Sequence, residues 1–256
     1  MRKNAWVICC CTAVLAAFGT FFRWLQDQVC FEAETGLAVR GSIWPYAVAL
    51  MIVIAAVVLA VVCFRMKNQP HTSFPDSLPA AFAAAQRVRT IGGVVLGALL
   101  AVGGAWLMIS SGTLSSPGLQ RVLAVLAIVT GAAFARQMLA PGDAEATSGA
   151  VVCASMPIVL LAFWLIVSYK VNIINPTISA YAVEILALCA ALIAFYQLAG
   201  FAYGRPKAIK SIFWSQFAAF LCITALPDDR AGAQQLMLAA IAGILVFQSY
   251  LTASNI

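Results

Sequence analysis

One residue stands out among the few in this chain that could do chemistry. Glu184 interrupts an apolar run that follows Asn172-Ile-Ile-Asn175-Pro176-Thr177 and extends to Tyr196. The other long apolar runs hold no carboxylate. Burying a carboxylate costs several kcal/mol unless it is paired or takes up a proton. Two uses follow. Glu184 could be a proton or cation site in a transport path. It could equally be a carboxyl clipped to Lys170, Tyr181 or a helix end, fixing a bundle. Asn175 and Pro176 suit a helix start, as cap and first-turn residue. At 1.5 Å per residue Glu184 then lies about 12 Å along that helix. Ala180, Ala187 and Ala191 share its face at helical spacing, so the carboxylate faces another helix and not lipid. Gln216, Thr224, Gln248, Ser249 and Tyr250 are the polar residues on other runs that could meet it.

Other chemistries lack their residues. Seven of the 8 cysteines, Cys9, Cys10, Cys11, Cys63, Cys153, Cys189 and Cys222, fall in or beside apolar runs, and only Cys30 falls in a connection. They read as small apolar filler; a Cys30–Cys222 pair is an option that geometry decides. No C-x-x-C spacing occurs, and His71 alone cannot complete a Cys/His metal set or a bis-histidine haem. H-E-x-x-H, G-x-S-x-G, a P-loop and a mid-run lysine for a retinal aldehyde are all missing. The expectation is a protein without catalytic, cofactor or metal site.

These residues must be positioned by helices in lipid. Of 256 residues 63% are hydrophobic and only 9% charged, more apolar surface than a soluble domain can hide. A bilayer core needs about 20 apolar residues per helix. Hydropathy gives eight spans: Ala5–Leu25, Ile43–Phe64, Ile91–Ser110, Leu119–Leu139, Ala150–Ser168, Thr177–Gly200, Ser211–Leu226 and Ala233–Thr252. No connection is long enough for a folded domain. The expected fold is all-α, a single polytopic transmembrane helix bundle over residues 1–256 with the lipid bilayer as its first partner. Arg2 and Lys3 ahead of an apolar run resemble a signal peptide, but the run is long and no A-x-A site follows, so it is kept as span one.

Charge sets the orientation. Arg2, Lys3, Arg65, Lys67, Arg87, Arg89, Arg136, Arg205, Lys207 and Lys210 fall on one side; Arg23, Arg40, Arg121, Lys170 and Arg230 fall on the other. Ten against five places the first group, and both termini, in the cytoplasm. Asp27, Glu32, Glu34, Asp228 and Asp229 then lie outside. Trp24, Trp44, Tyr46, Trp164 and Tyr169 cluster at outer ends, and Trp6, Tyr203 and Trp214 at inner ends, as interfacial anchors do.

The connection from Arg65 to Thr90 carries Pro70, Pro75 and Pro79. Asp76 and Ser77 before Pro79 mark a helix start. Leu78, Phe82, Ala85 and Val88 recur at helical spacing, predicting an amphipathic segment over 78–89 that lies on the membrane with a basic end toward anionic lipid. The basic residues are too few for a nucleic-acid surface. Gly93 and Gly97 form a G-x-x-x-G, and Ala239 and Gly243 share that separation. Small residues so spaced let helices approach closely, within the bundle or in a homo-oligomer or with a membrane partner. Pro157 should kink span five near its inner end. Trp44-Pro45-Tyr46-Ala-Val-Ala49 in span two echoes Asn175-Pro176 and Tyr181-Ala-Val-Glu184 in span six, and each span leads to a basic exit. Two four-span units in parallel would give such an echo, and so would chance in an Ala/Val-rich chain.

The stretch Asn175-Pro176 through Glu184-Ile-Leu-Ala-Leu188, with Ala199-Gly200-Phe201-Ala202-Tyr203-Gly204 after it, resembles multi-pass membrane proteins of Gram-positive anaerobic bacteria that have no assigned activity. It covers about a tenth of the chain. The resemblance implies a bacterial plasma membrane and transfers no site. Two functions stay open: an accessory or structural membrane protein acting through packing partners, and a small ion-coupled carrier using Glu184. A polar cavity lined by Gln216 or Gln248 and reaching Glu184 would favour the carrier. A dry, closed bundle would favour the accessory role.

Overall fold

A computed structural model describes residues 2–30, 42–68, 74–75, 77–83, 86–110, 116–139, 148–173 and 178–256. Among them every element is a helix: α1 Arg2–Val29, α2 Trp44–Lys67, α3 Leu78–Ala81, α4 Gln86–Ile109, α5 Pro117–Leu139, α6 Ser148–Asn172, α7 Ile178–Ala202, α8 Ala208–Thr224 and α9 Gly232–Ser254. Seven of these are long and apolar enough to cross a bilayer, which makes the chain a multi-pass integral membrane protein. The eighth expected span is α8, an apolar helix of 17 residues, about 26 Å long at 1.5 Å per residue.

Short α8 is the centre of the bundle, packed by α1, α2, α7 and α9. Burial differs among the helices: 67% of the apolar window of α9 is buried and 22% of that of α2, many of whose Val and Ile side chains are exposed. Trp6 packs edge-on against Tyr250, so α1 begins and α9 ends on the same face. That face is called the terminal face below, and the other the opposite face.

The small residues bring α4 between α5 and α9. A Cβ on Gly97 would lie 2.5 Å from the Gly131 carbonyl oxygen, and one on Gly93 would run into Met138, both on α5. A Cβ on Gly103 would press on Met237, and one on Gly243 on Leu96. The G-x-x-x-G pattern is thus filled from inside the bundle, and Ala239 is half-buried. The obstacle at Gly97 is backbone, which cannot step aside. Gly97→Val should therefore cost about 1–3 kcal/mol in an unfolding measurement in detergent, while Ala98→Val, at an exposed position one residue along, should leave stability within about 0.5 kcal/mol.

Several local expectations resolve differently. Of the predicted 78–89 segment, Leu78–Ala81 is a four-residue helix capped by Ser77, whose hydroxyl accepts from the Ala80 amide, and residues 86–89 open α4. Leu78, Ala81 and Phe82 are buried, and Asn255 Nδ2 donates to the Ala81 carbonyl, so this piece tucks under the bundle and not onto lipid. Arg87 is exposed, but Arg89 is buried. Pro157, where a kink is expected, lies inside α6. α7 packs along α8, whereas no comparable seam joins α2 to α4 among the described residues, so these corresponding spans of the two four-span units pack differently. Cys30 and Cys222 are both free thiols. Asn175, Pro176, His71 and Asp76 lie outside the described residues.

Candidate functional site

Because α8 is short, its connection to α9 is recessed below the ends of the longer helices. Gly19 of α1 abuts Thr224 and Phe220 at the end of α8; ten residues remain in α1, about 15 Å. Gly232, which opens α9, meets Trp106 of α4, about 4.5 Å short of that helix end. Pro227 cannot continue α8. Gln235 Nε2 closes the turn by donating to the Leu226 and Asp228 carbonyls at 3.4 and 3.2 Å. Asp228 and Arg230 are therefore carried down among the helices.

There they meet charges from α1 and α7. Arg23 Nε donates to Asp228 Oδ1 at 2.6 Å, and Arg23 Nη1 donates to Gln26 Oε1 at 3.0 Å. Arg230 Nη2 pairs with Asp228 Oδ2, and Arg230 Nε lies 3.4 Å from Glu184 Oε2. Arg23 Nη2 stands 3.8 Å from Asp27 Oδ1. The result is one chain of ion pairs, Asp27–Arg23–Asp228–Arg230–Glu184, joining α1, the α8–α9 connection and α7. Arg23 is 1% exposed, and the Glu184 and Arg230 side chains are each 9% exposed. Ser168 and Trp164 of α6 lie near Glu184. Trp164, expected among the interfacial aromatics, is fully buried.

Helix ends add to the field. Arg230 follows the carbonyl-rich end of α8 by six residues, and a cation near such an end is favoured. Asp228 and Asp229 precede the amide-rich start of α9, where anions are favoured. The charge sum is uneven: three carboxylates face two guanidiniums.

The residues expected around Glu184 are distributed otherwise. Lys170 is exposed and Tyr181 half-buried; the described ionic partner of Glu184 is Arg230. Ala187 and Ala191 are fully buried on the Glu184 face. Gln216 donates Nε2 to Ser249 Oγ at 2.8 Å and approaches Cys9 Sγ at 3.4 Å. Gln248 is buried nearby, the residue before Ser249 on α9. Thr224 donates to the Phe220 carbonyl in its own helix. Between Gln216 and the ion pairs, α8 presents Ala218, Ala219, Phe220, Leu221 and Cys222, none more than 1% exposed. Two polar regions thus sit in one bundle with an apolar turn between them along α8.

Charge alone places Arg23, Asp27, Asp228 and Arg230 in the outer connections. The signal was nonetheless there: Arg23 falls inside the first apolar run, and a guanidinium in lipid needs a partner as much as a carboxylate does. The fold and this buried chain of charges define a polytopic helical membrane protein with a buried ion-pair network. No family of sequences matches it, and neither does any curated protein or solved structure.

Proposed function

We propose that the chain is a non-catalytic accessory or structural protein of a bacterial plasma membrane, with both termini on the cytoplasmic side. In this reading Glu184 is a structural clasp. The observation that carries it is the Arg230–Glu184 pair: the carboxylate is bound by a guanidinium of the same chain, which is bound in turn to Asp228 and so to Arg23. Such a chain fixes α1 and α7 to the recessed connection between α8 and α9, and breaking a buried pair is costly. Support also comes from the apolar turn 218–222, which separates Glu184 from the polar groups of Gln216 and Gln248 along α8. A polar path from those groups to Glu184 would favour a carrier.

The test uses reconstituted protein. Proteoliposomes holding the wild type and Glu184→Gln should show the same rates of proton, sodium and potassium flux, both equal to the protein-free leak. A flux above leak that Glu184→Gln abolishes in folded protein would replace the clasp with the carrier.

A further inference from the structure

The outward side of α2 carries a groove of about 590 Å³ lined by Ala60, Val61, Phe64, Arg65 and Asn68. These positions form one stripe of the helix. The stripe buried against the bundle is another one, Ala55, Leu59, Cys63 and Met66, so the groove opens toward lipid. Phe22, in the last third of α1, meets Trp44 at the start of α2. Helix α2 therefore runs toward the terminal face and ends there with Arg65 and Lys67 in its last turn. The groove changes character along its length. Ala60, Val61 and Phe64 make its deeper, apolar part. Arg65 and Asn68 make its polar end, with Asn68 about 12 Å along the helix from Ala60.

We infer that this groove binds a phospholipid with an anionic headgroup, its phosphate held by Arg65 and Asn68 and an acyl chain laid along Phe64, Val61 and Ala60. Each part of the groove matches a part of that molecule. A guanidinium donates paired hydrogen bonds to phosphate oxygens, and the Asn68 side-chain amide adds donors. Arg65 is exposed, and no described carboxylate pairs with it, so its charge is available to a ligand. Burying the apolar wall under a methylene chain costs nothing in a membrane. Charge selects the headgroup. Among the described residues the terminal face carries basic side chains, Lys67, Arg136 and Lys210 among them, and no acidic one. Asp27, Glu184, Asp228 and Asp229 all lie toward the opposite face, in or beside the ion-pair chain. Such a basic surface draws anionic lipid. The inference is independent of the clasp reading, because it uses none of those acids or their partners.

Native mass spectrometry of the full chain tests it, with the protein released from micelles that hold equal amounts of phosphatidylglycerol and phosphatidylcholine bearing the same acyl chains. The wild type should retain phosphatidylglycerol over phosphatidylcholine by roughly fivefold or more, the effect of one cation on an anionic headgroup. Arg65→Gln should lower that preference by about the same factor. Val61→Trp keeps the charge and fills the groove, so it should lower retention of both lipids. Arg136 is an exposed cation of the same face outside the groove, and Arg136→Gln should leave the preference unchanged. All three positions are exposed, and circular dichroism checks that each variant is folded. Equal retention of the two lipids by the wild type overturns the site. So does an equal loss of preference in Arg65→Gln and Arg136→Gln, which assigns the effect to diffuse surface charge. Unchanged retention in Val61→Trp overturns it as well, and so does a mass of two chains that Val61→Trp abolishes, which gives the groove to a second copy.

Discussion

Replacing Arg23 by Met should cost about 3–5 kcal/mol of unfolding free energy, the range for breaking a buried ion pair from one side. Met fills most of the volume of the aliphatic stem, so the loss is electrostatic and not a cavity effect. Arg23 is among the largest fully buried side chains, and it serves Asp228, Asp27 and Gln26 together. Its removal leaves three carboxylates facing one guanidinium. Arg121, counted with it on the non-cytoplasmic side by charge, is exposed, and Arg121→Met should stay within about 0.5 kcal/mol. Reversible unfolding in mixed micelles, followed by far-ultraviolet circular dichroism, checks both values.

The second large effect belongs to Arg230. Arg230→Met removes the group that bridges Asp228 and Glu184, and about 3–5 kcal/mol should go with it. The uneven charge sum makes the substitutions asymmetric. Removing a guanidinium takes the cluster from an excess of one negative charge to an excess of two. Glu184→Gln takes it to balance, and the Gln amide oxygen can still accept from Arg230. Glu184→Gln alone should therefore cost no more than about 1 kcal/mol, the net worth of one ordinary hydrogen bond.

Which of this could be read from sequence follows from the range of each signal. Apolar runs are local, so the helices appear near their expected places, and α7 puts Ala187 and Ala191 beside Glu184 as helical spacing requires. The partner of Glu184 is not local. Arg230 is 46 positions away in a short acidic connection, and a charge beside Pro227 and Asp229 looks solvated until the recess of that connection is known. That recess depends on the mismatch between α8 and its longer neighbours, a property of the packed bundle. Helix periodicity could not say that Leu78 to Ala81 ends after four residues, because Phe82 turns inward against the bundle. Gly93 and Gly97 announced a close contact, but only packing identifies Met138, Gly131 and Ala135 of α5 as its other side. Gln216 and Gln248 are polar residues of central helices, as expected; their position toward the terminal face separates them from the carboxylate.

The clasp is tested most directly by a double-mutant cycle on Glu184 and Arg230, read as unfolding free energy in one micelle composition. If the two groups hold each other, Arg230→Met leaves a stranded carboxylate, and adding Glu184→Gln to it restores at least about 1.5 kcal/mol. The double variant would then be more stable than Arg230→Met alone. If Glu184→Gln instead deepens the loss, or adds to it without coupling, the carboxylate is not held by Arg230 and the structural role assigned to it is wrong.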